Sequence, residues 1–184
     1  MEIVLESRAM GPLPTDIESL VSAEKVLGGT PNWDSDANPK YVYFSYPLEI
    51  DGITTGGFQL RVKVSKRWPD RDCMAQLEYA PTARTAIPLW RAEWRPLSPH
   101  TNKGISTDYP FAQFHDTHHH PFDENYIADE LRMRDGNLPN ARPLSSDLNT
   151  LSDFLACVGK LFRIKDVQRI ELPPTSADMF WTLT

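Results

Sequence analysis

The chain has 184 residues, of which 40% are hydrophobic, so a single domain can bury a core without disulfide or metal support. A net charge of −6 argues against a protein that coats nucleic acid, and the two cysteines are too few for a zinc finger or a disulfide framework. We see no basic and apolar leader and no apolar run long enough to cross a bilayer, so we expect a cytoplasmic protein without a membrane partner.

The charged residues are distributed unevenly along the chain. Residues 61–103 carry nine basic and four acidic side chains, whereas residues 1–60 and 104–184 are both acidic. A basic middle region can attract an anionic substrate. It can equally be the solvent-facing side of a sheet that uses Arg and Lys, so composition leaves both interpretations open.

The first 39 residues are predicted to form an N-terminal extension of strand, helix and loop. Thr15 and Glu18 have the spacing of a capping box, and apolar residues recur after them at helical intervals. Gly28 and Gly29 are expected to end this helix. The loop that follows is rich in Pro, Asn and Asp.

Residues 40–120 are predicted to form an antiparallel sheet. Its segments are aromatic or β-branched and alternate apolar with polar side chains, as Leu60 and Val62 do with Arg61 and Lys63. Such alternation is typical of a sheet with one packed and one wet face. The five predicted strands cover residues 40–50, 58–68, 73–80, 87–97 and 111–120.

The rest of the chain is predicted to be less regular until a second helix. Residues 121–145 read as an irregular excursion, because Pro and Gly interrupt them. Residues 146–162 follow as a C-terminal helix with an apolar stripe and with Ser145 or Ser146 as its cap. Residues 163–184 form a tail, with a short strand predicted at 167–172. This order predicts one α+β domain over residues 1–184, an antiparallel meander with the N- and C-terminal helices packed on one face.

The histidines are the most unusual feature of the sequence. All five lie between residues 100 and 120, and four of them fall in the stretch FHDTHHHPFDEN. If this stretch is extended, Asp116, His118 and His120 share one face, which gives the donor set of a 2-His-1-carboxylate metal site. Imidazole is also the side chain that gives or takes a proton near neutral pH.

Three interpretations of the histidines remain open at this point: a polar strand without chemistry, acid–base catalysis on a phosphate, and metal binding. We expect no cofactor, because no further ligand spacing reinforces a metal site and no supporting carboxylate can be assigned. If an ion does bind, Asp116, His118 and His120 are the expected ligands, with His100 as a fourth, and the binding is expected to be weak.

A series of segments between Phe58 and Phe162 has a recognisable order: FQLRVKVSKRW, AQLEY, LWRAEW, PH, FHDTHHH and LSDFL. In this order they resemble the TumE-type toxins of bacterial toxin–antitoxin modules and related prophage-encoded small proteins. The resemblance implies a growth-inhibiting toxin that acts on RNA and has an antitoxin as its protein partner.

The first functional hypothesis is therefore a metal-independent endoribonuclease. One histidine would take the proton of the ribose 2′-hydroxyl and another would protonate the leaving oxygen, while basic side chains stabilise the charge on the phosphorus. His118 and His120 are the candidates for this pair, with His100 or His115 in support. The candidates for substrate binding are Arg61, Lys63, Arg91 and Arg95.

The alternative hypothesis is a protein without chemistry that inhibits a partner. An acidic surface can occupy a basic or nucleic-acid-binding partner, and such inhibitors are expected from a phage or another mobile element. This hypothesis requires acidic side chains clustered on one exposed face. The candidates are Asp34, Asp36, Asp123 and Glu124.

Overall fold

The computed structural model describes residues 12–35, 40–82, 85–104, 108–144 and 147–173. Its helices are α1 (Ile17–Ser22), α2 (Phe122–Arg134) and α3 (Leu151–Phe162), followed by a 3-10 helix at Val167–Arg169. The strands are β1 (Val26–Leu27), β2 (Asp34–Ser35), β3 (Tyr41–Ile50), β4 (Ile53–Ser65), β5 (Cys73–Thr82), β6 (Thr85–Trp94), β7 (His100–Thr101), β8 (Gln113–Phe114), β9 (His118–His120) and β10 (Arg142–Pro143).

The main sheet is antiparallel, with the order β1-β3-β4-β5-β6-β9-β10 and with β2 beside β3. β7 and β8 form a separate two-stranded ribbon. The hairpin between β3 and β4 turns at Asp51 and Gly52, whose φ angles are 52° and 73°. An Asp-Gly pair with both φ angles positive matches the right-handed twist of the two strands. Residues 53–57, which fall between the predicted strands at 40–50 and 58–68, belong to β4.

The core lies between the apolar face of the sheet and the terminal helices, so the predicted α+β architecture is confirmed. Phe44, Val62, Ala75 and Ala92 follow one another across four neighbouring strands and are all buried. Buried apolar residues of both α1 and α3 belong to the same core cluster. On α3, Phe154 stacks against Trp94 of β6 with 5.9 Å between the ring centroids.

The two terminal helices are shorter than predicted. α1 has Asp16 as its N-cap and no side-chain capping bond, so the capping box expected of Thr15 and Glu18 is wrong. Its chain leaves the helix after Ser22 because Val26 and Leu27 pair with β3. α3 begins after Thr150, which forms a capping box with Asp153. The predicted caps Ser145 and Ser146 lie outside the described residues.

The region between the sheet and α3 is more ordered than the sequence suggested. α2 lies inside the predicted excursion, with a break at Asp129. The apolar residues of α2 do not form a buried stripe. Ile127 and Leu131 are exposed, while the polar Asn125 is buried. The predicted strand at 111–120 is divided between β8 and β9, which belong to different sheets. The strand predicted at 167–172 is wrong, since a 3-10 helix occupies part of it.

Candidate metal centre

The histidines of β9 lie beside the polar face of β6. In the antiparallel pairing of these strands, Glu93 is opposite His118 and Arg91 is opposite His120. Directly opposed residues project to the same face of a sheet, so the two imidazoles, the carboxylate and the guanidinium are neighbours. His118 and His120 thus share one face, as their alternation indicates.

Three side chains bring donor atoms together at this point. Oε2 of Glu93 lies 3.6 Å from Nε2 of His118, and Oε1 of Glu93 lies 3.9 Å from Nε2 of His120. One donor atom from each of the three residues lies within 4.8 Å of the others. Two imidazoles and one carboxylate at this separation can ligate a single transition ion and leave coordination positions open.

Both imidazoles are buried, since His118 exposes 0% and His120 1% of its surface. Nδ1 of His118 lies 2.7 Å from the carbonyl oxygen of Asp116 and must donate to it, so Nε2, the atom that faces Glu93, is the nitrogen available to a metal ion. Among the described residues, neither Nε2 of His118 nor either ring nitrogen of His120 has a hydrogen-bonding partner of acceptable geometry, although the backbone of Leu138 lies near enough to His120 to act on its pKa in the raising direction. A buried polar atom normally bonds to another protein group, a water or an ion, so these nitrogens are candidates to ligate a metal ion.

The ribbon and the chain after α2 cover the two rings. The ring of His100, on β7, lies edge-on to His120 at 4.5 Å between centroids and stacks with His118 at 5.7 Å. Nε2 of His100 donates to the carbonyl oxygen of Pro139 at 3.0 Å. Phe114, on β8, stacks on the ring of His118 at 5.7 Å. The predicted supporting residue His100 therefore does lie beside the pair.

Two buried asparagines hold this cover in place. The side chain of Asn102 donates to the carbonyl oxygens of Tyr109 and Ala141, at 2.9 and 3.0 Å, and accepts from the amide of Ala141 at 2.8 Å. Asn125 of α2 donates to the carbonyl oxygen of Asn140 at 3.0 Å and accepts from its amide at 2.9 Å. Because each amide side chain bonds both backbone groups of one residue, the chain over the histidines has a fixed position.

Burial lowers the pKa of three histidines. It lowers the pKa of His100, and it lowers the pKa of His120 well below its ordinary value, with the charge of Arg91 acting in the same direction. On the opposite face of β9, burial and then the charge of Arg142 lower the pKa of His119 to about 4. These rings are therefore neutral at pH 7, and a neutral imidazole is the form that ligates a metal.

The structure places three predicted site residues outside this group. Asp116 is exposed, and its carboxylate accepts a hydrogen bond from the amide of Thr117 at 2.7 Å. His115 is also exposed, in the bend between β8 and β9. β6 ends before Arg95, whose φ angle is 47° and whose guanidinium lies over the ring of Trp94. The carboxylate beside the two imidazoles is that of Glu93, not the predicted Asp116.

The other predicted basic residues do lie on the polar face. Arg61 of β4, Gln76 of β5 and Arg91 of β6 form one row across the sheet, and this row ends at His120. Lys63 lies in the neighbouring row, which leads through β5 to Glu93. The basic face and the histidine pair are therefore parts of one surface.

Sequence reasoning missed Glu93 as a candidate ligand. The alternation of Arg91 and Glu93 with the tryptophans of β6 already placed Glu93 on the wet face. What it could not supply was the register between β6 and β9, because a long connection separates these strands. Only that register sets Glu93 opposite His118.

Three acidic residues of the alternative hypothesis are described by the structure, and these three do not form one cluster. Asp34 is exposed on β2, beside β3, and three strands separate β3 from β9. Asp123 is exposed at the start of α2, and Glu124 pairs with Arg142. Asp36 lies outside the described residues. The predicted inhibitory partner stays a prediction.

Comparison of the chain with family models, with curated proteins and with solved structures finds no match. The resemblance to TumE-type toxins therefore stays a prediction, as does the antitoxin partner. In the parts of the chain that the structure describes, we find no helix with the length and apolarity to span a membrane.

Proposed function

We propose that this protein binds a divalent transition-metal ion through Glu93, His118 and His120. One observation supports the proposal most strongly: the buried Nε2 atoms of both histidines lack hydrogen-bonding partners among the described residues, and they lie within 4.8 Å of a carboxylate oxygen. Donors of this kind prefer Zn²⁺, Ni²⁺ or Fe²⁺ to Mg²⁺, because imidazole is a poor ligand for hard cations.

One of the proposed ligands is also oriented by a hydrogen bond, as metal-binding histidines usually are. The hydrogen bond from Nδ1 of His118 to the carbonyl oxygen of Asp116 orients this ring and fixes its tautomer. Three protein ligands, rather than four, are typical of ions that also bind water or substrate. The ion would then act as a Lewis acid on whatever occupies the open positions.

Elemental analysis of untagged protein, purified without a nickel column and dialysed, tests the proposal. We expect close to one equivalent of a transition ion in the wild type and in His115→Ala, whose exposed histidine lies in the same stretch. His118→Ala/His120→Ala is expected to lose the ion while remaining folded by circular dichroism. A wild type that retains no more ion than the double variant, after incubation with Zn²⁺, Ni²⁺ or Fe²⁺, would contradict the proposal.

RNA cleavage remains a second proposal, supported by the position of Arg61, Lys63 and Arg91 on the same face as the histidine pair. In this case His118 and His120 would exchange protons with the ribose and the leaving oxygen. Both rings are buried, so the ribbon of β7 and β8 would have to move to admit the substrate.

The second proposal is tested by incubating purified protein with total RNA, with and without a chelator. Metal-independent cleavage predicts RNA fragments from the wild type in both conditions and none from His118→Ala/His120→Ala. Identical RNA patterns from the two proteins would eliminate it. Cleavage that stops with the chelator would instead connect it to the metal ion.

A further inference from the structure

The part of the candidate metal centre that is exposed to solvent is the side on which Glu93 and Arg91 lie. The two imidazoles are buried, whereas the side chains of Glu93 and Arg91 are 24% and 25% exposed. A ligand that enters from solvent therefore approaches past these two residues. The guanidinium of Arg91 lies on this side, next to the carboxylate of Glu93.

Arg91 is held in a fixed orientation beside these positions. Its Nε donates to Oε1 of Gln76 at 2.7 Å, and Gln76 in turn donates to Glu78 at 2.5 Å. Gln59 donates to the other oxygen of the same carboxylate at 2.6 Å. Nη1 of Arg91 lies 3.9 Å from Oε1 of Glu93, which places one end of the guanidinium next to the proposed ligands.

The charges around this opening favour an anion. Arg61, Lys63 and Arg91 share this face of the sheet with the carboxylates of Glu78 and Glu93, and the ammonium of Lys63 lies over the ring of Tyr41. These three cations already exceed the two carboxylates by one charge, and a bound divalent ion would raise the excess to three. Within the described residues, Nε of Arg61 is a buried donor without a hydrogen-bonding partner. An oxyanion that binds the ion would compensate this excess of positive charge, whereas a neutral ligand would not.

We propose that the open positions of the metal ion bind a small oxyanion, a carboxylate or a phosphate group, and that Arg91 pairs with an oxygen of this anion. The inference rests on the proposed metal site and names the class of ligand that the site takes. Arg91 is the residue of choice because a planar guanidinium presents parallel N–H donors to an oxyanion. Arg61, at the other end of the same row, adds charge without reaching the ion.

Protein loaded with Co²⁺ tests this inference, because the visible absorption of bound Co²⁺ responds to a change of its ligands. The wild type is titrated with oxalate, with inorganic phosphate and with chloride as a simple anion. Arg91→Gln and Arg91→Lys are compared with the control Arg67→Gln, which changes an exposed arginine stacked on Trp68. Co²⁺ content and circular dichroism are measured first for each protein.

We expect oxalate or phosphate to shift the Co²⁺ spectrum far more than chloride at equal concentration, and the stronger of the two identifies the oxyanion. Arg91→Gln should bind that oxyanion at least about tenfold more weakly, Arg91→Lys should lie between, and Arg67→Gln should match the wild type. If Co²⁺ binds but no oxyanion changes its spectrum, or Arg91→Gln and Arg91→Lys bind as the wild type does, the inference is overturned while the metal site stands. If Co²⁺ does not bind to the wild type, the proposed function itself fails.

Discussion

Glu93 and His118 come from different strands, and their side chains meet with 3.6 Å between Oε2 and Nε2. The contact depends on the pairing of β6 with β9, which sets the two residues opposite each other. This pairing places the carboxylate of Glu93 beside the two buried imidazoles. The alternation of residues 116–120 predicts a different carboxylate, that of Asp116. The identity of this carboxylate leads directly to a prediction.

Glu93→Gln is expected to reduce affinity for Zn²⁺ by more than the roughly 10- to 100-fold loss that is typical when a residue supporting a ligand is removed. Asp116→Asn should leave the affinity unchanged, because His118 bonds to the backbone carbonyl of Asp116 and not to its carboxylate. Competition titration with a chromophoric chelator measures both. A larger loss in Asp116→Asn than in Glu93→Gln would mean that the carboxylate has been assigned to the wrong residue.

His119 is expected to support the fold and not the metal ion. The indole nitrogen of Trp90 donates to Nδ1 of His119 at 3.1 Å, on the face of β9 away from His118 and His120. His119→Ala leaves this indole without its acceptor, and we expect a loss of about 1–3 kcal/mol in the free energy of unfolding. Urea denaturation measures the loss, with His115→Ala as an exposed control. Unchanged stability together with weakened metal binding would contradict this separation of roles.

The fold could be predicted largely because its sheet has a regular pattern. Leu60, Val62 and their neighbours alternate with charged residues, and α3 has a clear apolar stripe, so each segment indicates its own structure and buried side. α2 shows no such pattern, because it buries Asn125 and exposes Ile127 and Leu131. Its position depends on contacts with distant chain segments, and no local pattern records them.

The histidines of the candidate site were predictable from the sequence, whereas its carboxylate was not. His118 and His120 share a face because they are two residues apart in one strand. Asp116 is also two residues from His118, but it lies in a bend, where its carboxylate accepts a hydrogen bond from the amide of Thr117. His100, which was predicted in support, joins the pair through the ribbon. Glu93 joins it through the register of β6 with β9, which spacing along the chain does not give.

Gly159 is expected to resist substitution although it lies within a helix. Alanine normally stabilises a helix relative to glycine by about 1 kcal/mol. A Cβ atom at Gly159, however, would lie 2.7 Å from a methyl group of Val167 and 2.9 Å from the carbonyl oxygen of Ile164. We therefore expect Gly159→Ala to lower the free energy of unfolding by about 1–3 kcal/mol, as overpacking does.

Thermal and urea denaturation of Gly159→Ala check this expectation. Ala156→Gly, at an exposed position of the same helix, is the matched control and should show only the ordinary propensity loss of about 1 kcal/mol. A Gly159→Ala variant that is more stable than the wild type would contradict the expectation. It would show that Ile164 and Val167 can move away from α3 without lowering the free energy of unfolding.

Lys25 connects the two terminal helices through a buried ammonium group. Its Nζ donates to the carbonyl oxygens of Val21 and Ala23, at 2.7 and 2.8 Å, and to that of Phe162 at 3.3 Å. Burial, and then the charge of Arg163, lower the pKa of Lys25 from 10.5 to about 8. The side chain has a different pKa in the folded and unfolded states, so it makes stability depend on pH.

We expect the free energy of unfolding of the wild type, relative to that of Lys25→Met, to rise between about pH 8 and pH 10.5. Below this window the ammonium is protonated in both states. Within it, the folded protein releases the proton while the unfolded chain keeps it, so the unfolded state binds more protons and becomes less favourable as the pH rises. Urea denaturation at a series of pH values measures the difference, with Lys160→Met, at an exposed position of α3, as the control that should show no such rise. A difference that stays flat or falls across the window would mean that the three carbonyl oxygens hold the ammonium in its charged form.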